Sequence, residues 1–163
     1  MTILRMLGGA ALATTLVLPA AAAVLTAKEF VAKAGACDLF EQREGRIMST
    51  SSNADVAAFA KKMLADHTKS TEMVKSAAKA DGMTPAAPVL SAKQTKDIAA
   101  LSAAKGKARD TMYVTQQKAV HAEALTLMQD YVSGGTAAHL KETAGKIVPV
   151  VQTHIDMLAK MKM

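Results

Sequence analysis

The sequence predicts an all-α protein: a bundle of four long helices, with a short extra helix in the crossover between the second and the third. Three observations carry this expectation. Apolar residues recur at helical spacing through four long segments. Clusters of Asn, Ser, Gly and Pro bound those segments where helices start and stop. Aromatic residues make up 3% of the chain, Trp is absent, and no run alternates apolar with polar residues as a half-buried strand does. At 163 residues the chain reads as one bundle domain, with a core of Ala, Val, Leu and Met.

The first segment is set apart from that domain. Arg5 gives residues 1–5 a positive charge, residues 6–18 form an apolar run, and Pro19 with Ala20, Ala21, Ala22 and Ala23 supplies small residues. This is the order of a secretory signal peptide. Residues 1–23 are therefore read as a signal cut near Ala23, and residues 24–163 as the exported domain, in the periplasm or elsewhere in the cell envelope. An uncleaved N-terminal anchor is the alternative reading. The apolar run is shorter than the ~20 residues of a membrane span, and no second such run is expected to cross a membrane.

The first bundle helix is expected over 26–50, started by Thr26 or by Lys28 and Glu29. Phe30, Ala34, Cys37, Glu41 and Met48 fall on one line, with Phe40 and Ile47 beside it and Glu44 nearer the edge. The second, over 53–80, has Asn53 as N-cap and Asp55 in its first turn. Its inner face is Val56, Phe59, Ala60, Met63, His67, Val74 and Ala77, and its lysines lie mostly outside. Asp81-Gly82 closes it, because Gly accepts the left-handed conformation of a C-cap. Pro85 and Pro88 mark a loop, after which Ser91-Ala92-Lys93-Gln94 has the form of a capping box. A short helix over 92–104 follows, with Ile98 and Leu101 inward and a break at Lys105-Gly106. The next long helix, over 107–132, carries Val114, Gln117, His121, Leu125 and Met128 on one face. Ser133-Gly134-Gly135 is a turn, and Thr136 is expected to cap the last helix. That helix bears Ile147, Val151, His154, Leu158 and Met161, and Pro149 predicts a kink at the loss of one backbone hydrogen bond.

One polar residue interrupts the apolar stripe of each long helix: Glu41, His67, His121 and His154. A carboxylate and imidazoles suit Fe, Cu, Zn or Mn. Asp66, beside His67, is a fifth ligand or a group that orients a neighbouring imidazole. The heights of the four can be compared at ~1.5 Å per helical residue. If the short helix returns the chain along the bundle, Glu41 and His154 stand about 14 Å and about 13 Å from the first turn, and His67 and His121 about 20 Å. A plain up-down-up-down path places His154 at about 27 Å, away from the rest. The path that gathers the four groups has one long crossover, as in ferritin-like bundles.

The structural alternative is that each histidine is a hydrogen-bonded core residue. The Glu-x-x-His pairs of di-iron ferritin-like bundles do not occur in the chain. The 11 Met residues read first as core fillers, with Met48, Met63 and Met128 the only ones considered as copper ligands. His139 reads as solvated. Cys37 is the sole cysteine, which excludes an intramolecular disulfide; it reads as a buried small hydrophobe. The net charge of +6 is spread over all segments without aromatic interleaving, so no specific nucleic-acid partner is indicated. No G-x-S-x-G turn or Gly-rich phosphate loop occurs, so no catalytic signature is present.

Several of these residues also carry a resemblance. Phe30-Val31, Glu41 with Gly45, residues 56–60 followed by Met63 and Ala65-Asp66-His67-Thr68, Asp110-x-x-Tyr113 with Gln117 and His121, and Val148-Pro149 with His154 together resemble the bacterial family called domain of unknown function 4142 (DUF4142). The resemblance covers residues 28–160. Arg109 stands where a Phe commonly precedes the Asp, and Cys37 stands among positions that are usually small; neither removes a candidate ligand. The resemblance implies an exported ferritin-like bundle and supports Glu41, His67, His121 and His154 as ligands, with Asp66 and Tyr113 assisting. It implies no settled activity. Two functions are therefore carried forward. One is transition-metal binding in the core for redox or metal handling. The other is a metal-free envelope protein that acts through protein or surface contacts, as a monomer or an oligomer.

Overall fold

Helix starts are set locally by side chains that satisfy the first free N–H groups. In the computed structural model, which describes residues 25–162, α1 (Ala27–Met48) opens on a capping box of Thr26 and Glu29. In α2 (Ala54–Ala80), Asn53 accepts from the N–H groups of Asp55 and Val56. Ser91 and Gln94 form the second capping box, at α3 (Ala92–Ala103). Two further helices, α4 (Gly106–Gly134) and α5 (Ala138–Lys160), complete the chain. Gly82 ends α2 at φ +77°, a left-handed conformation that favours glycine. The expected signal peptide lies outside the described residues.

The start of α5 departs from expectation. Ala137, not Thr136, is the N-cap, and it has no side chain to offer. Asp81, from the end of α2, supplies the cap instead. Its Oδ1 accepts from the His139 N–H at 3.1 Å and its Oδ2 from the Leu140 N–H at 2.9 Å. The His139 ring adds an Nδ1 contact at 2.7 Å while staying exposed. A tertiary partner thus takes the role that a local rule assigned to a neighbour. At α4, the helix runs through Ser133 to Gly134 before the turn begins. Pro149 lies inside α5 on its solvent side, and the helix continues through it.

The chain path follows from a few cross-links. Short turns make α1–α2 and α4–α5 antiparallel neighbours. Ser51, in the α1–α2 turn, donates to Asp110 near the start of α4 at 2.7 Å. So α4 starts beside the start of α2 and runs in the same direction. The loop after α2 and the short α3 form the one long crossover, with α3 lying on α1 and α4. Around the bundle, α1 contacts α2 and α4, and α5 contacts α4 and α2. No helix among the described residues is long and apolar enough to cross a membrane.

The core has two apolar ends and a polar middle. One end gathers Phe30, Val74, Met128, Tyr131, Leu140 and Val151, with Phe30 stacked on Tyr131 at 3.9 Å. The other gathers Met48, Phe59, Met63, Leu101, Tyr113 and Leu158. On every long helix the residues between the two ends are buried and polar: Asp38, Glu41 and Glu44 on α1, His67 on α2, Gln117 and His121 on α4, His154 on α5. Burying so many polar groups is favourable only if they find partners. Glu44 sits at 0% exposure, deeper than the edge position expected for it.

Close approach of α1 and α2 holds this layer together. A Cβ added to Gly45 would stand 3.0 Å from the Ala60 carbonyl oxygen and 3.3 Å from Leu64 Cβ. A larger side chain there must push two helix backbones apart. We expect Gly45→Leu to lower stability by about 2–3 kcal/mol, read as a lower urea midpoint; an unchanged midpoint would show that the helices separate freely.

Candidate metal centre

Three imidazoles from three helices meet in the polar layer. One ring nitrogen from each of His67, His121 and His154 lies within 4.8 Å of the others. Their ring centroids are 5.2–5.8 Å apart. Each ring is oriented by an acceptor on its outer side. His67 Nδ1 lies 2.8 Å from Asp38 Oδ1, His121 Nδ1 2.9 Å from the Gln117 carbonyl, and His154 Nε2 2.8 Å from Asp66 Oδ2. Carboxylate and carbonyl oxygens only accept, so those three nitrogens carry the protons. The neutral rings then present His67 Nε2, His121 Nε2 and His154 Nδ1 as lone pairs.

These lone pairs have few protein partners. His67 Nε2 is buried with no hydrogen-bond partner. His121 Nε2 and His154 Nδ1 face each other at 3.2 Å, where two lone pairs repel unless a cation, either a proton or a metal ion, stands with them. Zn–N bonds of about 2.1 Å in a tetrahedral site place two nitrogens about 3.4 Å apart. The His121–His154 pair is already near that span, and the trio needs a closure of about 1.4 Å at most. Donor type, orphaned nitrogen and spacing all fit a transition-metal ion.

The electrostatics follow from burial and from the acceptors. Burial, with the charge of His67, pushes His121 down to about 3. His154 is lowered by burial, against the opposing hydrogen bond to Asp66. Burial would also lower His67, but the hydrogen bond to Asp38 and the charges of Glu41, Asp38 and Asp66 outweigh it and hold the ring above its ordinary value. For Asp66, burial is outweighed by hydrogen bonds from Lys62 and His154, which keep its carboxyl below the usual range.

The expected ligands divide into two groups. The three histidines come together; Glu41 and Asp66 stand outside their nitrogen cluster. Asp66 is half-buried and links His154 to Lys62, whose Nζ is 2.8 Å away, so it holds the ring in place. Glu41 Oε1 is 3.7 Å from His121 Nδ1, and its Oε2 accepts from Gln117 Nε2 at 2.7 Å. Gln117 also donates to Glu44 Oε2 at 3.0 Å. Burial pushes Glu41 up to about 7 and Glu44 to about 8. Tyr113 packs beside this pair with its hydroxyl buried and unpartnered; burial and the two glutamates push its phenol well up. Cys37 is only partly buried and packs against the apolar end that holds Phe30.

Sequence reasoning missed Asp38, which orients His67 and also accepts from the Thr71 hydroxyl at 3.1 Å. The signal was present. Ala34, Asp38, Glu41, Gly45 and Met48 follow the i, i+4, i+7 stripe as well as the line drawn through Cys37 does.

Among curated proteins none matches the chain. Among solved structures it is similar to the "crystal structure of DUF305 fragment from Deinococcus radiodurans", with a TM-score of 0.70 and 13% identity over 82% of this chain and 92% of that one. At that identity the likeness shows the fold alone, and it agrees with an all-helical chain. The family described as domain of unknown function (DUF4142) matches over residues 13–161, and the chain belongs to that family.

Proposed function

We propose that this protein is an exported, ferritin-like four-helix bundle that binds one transition-metal ion through His67, His121 and His154, in a redox or metal-handling role. The observation that carries the reading is the set of three converging lone pairs, each on a ring fixed by an acceptor at its other nitrogen. Such outer acceptors set the tautomer of metal-binding histidines and raise their basicity. Among Fe, Cu, Zn and Mn, an all-imidazole set favours Cu and Zn and suits Mn least. Asp38, Asp66 and the Gln117 carbonyl are positioning groups. The single long crossover supports the ferritin-like assignment. The charge, apolar run and small residues of 1–23 support export.

The test is metal content after the purified protein is challenged with Cu, Zn, Fe and Mn and then desalted. We expect one equivalent of Cu or Zn, lost in a His67→Ala/His121→Ala double variant and weakened 10–100-fold by Asp66→Ala. Retention of no metal by the parent would overturn the reading. The polar layer would then be a hydrogen-bond network that fixes helix register, in a metal-free protein acting through its surface.

A further inference from the structure

The polar layer is not sealed on all sides. A cleft of about 320 Å³ between α2 and α5 has His67, His154 and Asp66 among its lining residues. Met73, Ile147 and Val151 give it apolar walls. Its rim carries the exposed Lys69 and Lys146, together with Val150 at 41% exposure. Water occupies about 30 Å³ per molecule in the liquid, so the cleft has room for a small ligand and its hydration.

The arrangement of donors points the same way. Three protein nitrogens leave a four-coordinate ion one position short, the pattern of catalytic rather than structural sites. Glu41 approaches from α1, which packs on α2 and α4 and so stands across the bundle from the α2–α5 cleft. Asp66 is bound to the outer nitrogen of His154. Asp66 and Ser70 also line the cleft, but the Asp66 carboxylate is held by His154 Nε2 and Lys62 Nζ, so the cleft is the side from which an outside ligand reaches the open position.

From this geometry we infer that the cleft between α2 and α5 admits a small inorganic anion to the open coordination position of the ion held by His67, His121 and His154. The inference rests on the metal reading above and adds the class of ligand that reaches the ion. Anions are favoured over cations because three neutral imidazoles leave the ion's own charge uncompensated, and because the lining carboxylate Asp66 is already paired with Lys62, so the rim adds positive charge. Lys69 supplies most of it, since Lys146 is bridged to Glu142 at 2.6 Å. The apolar walls strip the entering ion of water, which strengthens its attraction to the metal. The cleft's volume of about 320 Å³ bounds the ligand to a small anion with its hydration, the class of azide, cyanide or a peroxide anion.

The experiment uses cobalt, whose visible bands report coordination, and azide as the anion. Cobalt content of the purified protein is measured first, and azide is then titrated against the visible spectrum. We expect one bound cobalt per chain, with bands that shift on azide addition. Val150→Trp, which fills the mouth of the cleft, should keep the cobalt and weaken azide at least tenfold. Lys69→Glu should keep the cobalt and weaken azide several-fold at low salt, with the difference shrinking as salt rises. Cobalt bound one to one with no response to azide would overturn the inference and leave the metal site standing. Equal azide affinity in parent and Val150→Trp would overturn the route through the cleft. Failure to bind cobalt would overturn the metal reading and this inference with it.

Discussion

The metal-saturated protein is expected to melt about 10–15 °C above the metal-free protein. A ligand that binds only the folded chain stabilises it by about 4 kcal/mol when its free concentration is 1,000 times its dissociation constant. In a domain of this size each kcal/mol moves the midpoint by about 3–4 °C. The increment should vanish in the His67→Ala/His121→Ala variant, whose metal-free midpoint serves as its own baseline. It should also shrink as pH falls, beginning above the ordinary histidine range, because His67 is held above its ordinary value by Asp38 and the neighbouring carboxylates and its proton competes with the ion for the same ring. Differential scanning calorimetry at several pH values, with and without Zn, checks both statements. A parent whose midpoint ignores saturating metal would show that the three lone pairs hold only protons.

Glu44→Gln should stabilise the metal-free protein above about pH 5, increasingly as pH rises to about 8. The Glu44 carboxyl is pushed up to about 8 by burial, against the opposing hydrogen bond from Gln117. In the unfolded chain it titrates near its ordinary value of 4.5. Between those two values the folded chain holds more protons than the unfolded one, so this group makes stability fall as pH rises. Below the ordinary carboxyl range the acid is neutral in both states and the effect disappears. Gln does not ionise, so parent and variant should match near pH 4 and diverge upward. The gap should reach roughly 5 kcal/mol by pH 9, or roughly 15 °C in melting temperature. Urea unfolding across that range is the measurement, and a gap independent of pH would show that Glu44 ionises freely when folded. Glu41, pushed up to about 7 by burial against the opposing His67 charge and Gln117 hydrogen bond, adds a cost of the same sign. Both carboxyls, Glu41 at 3.7 Å from His121 Nδ1 and Glu44 on the same Gln117 amide, therefore lower stability at neutral pH.

Much of the fold was legible because helices announce themselves locally. Thr26, Asn53 and Ser91 cap where their side chains predict, since each satisfies N–H groups two or three residues away. Gly82 ends α2 because a left-handed residue is needed there. Thr136 failed as a cap because Asp81, 58 residues from His139 in sequence, reaches the same N–H groups first; no local rule sees that contact.

The candidate site divides along the same line. Periodicity along each helix determined that Glu41, His67, His121 and His154 face inward, and their burial at 1–6% exposure agrees. Comparison of their heights favoured one long crossover, which the Ser51–Asp110 contact now places in the chain. What the sequence alone determined is therefore the inward face of each group, because that depends on the angle per residue; the expected levels, with His154 about 7 Å from His121, were only approximate, since the two rings meet at 3.2 Å. Only the tertiary structure decided which atoms meet. Asp38 rather than Cys37 faces His67, Glu44 is buried beside Glu41, and Asp66 binds the far nitrogen of His154. These outcomes turn on small rotations of neighbouring helices and on which of two ring nitrogens points inward, and such choices are fixed by packing between segments.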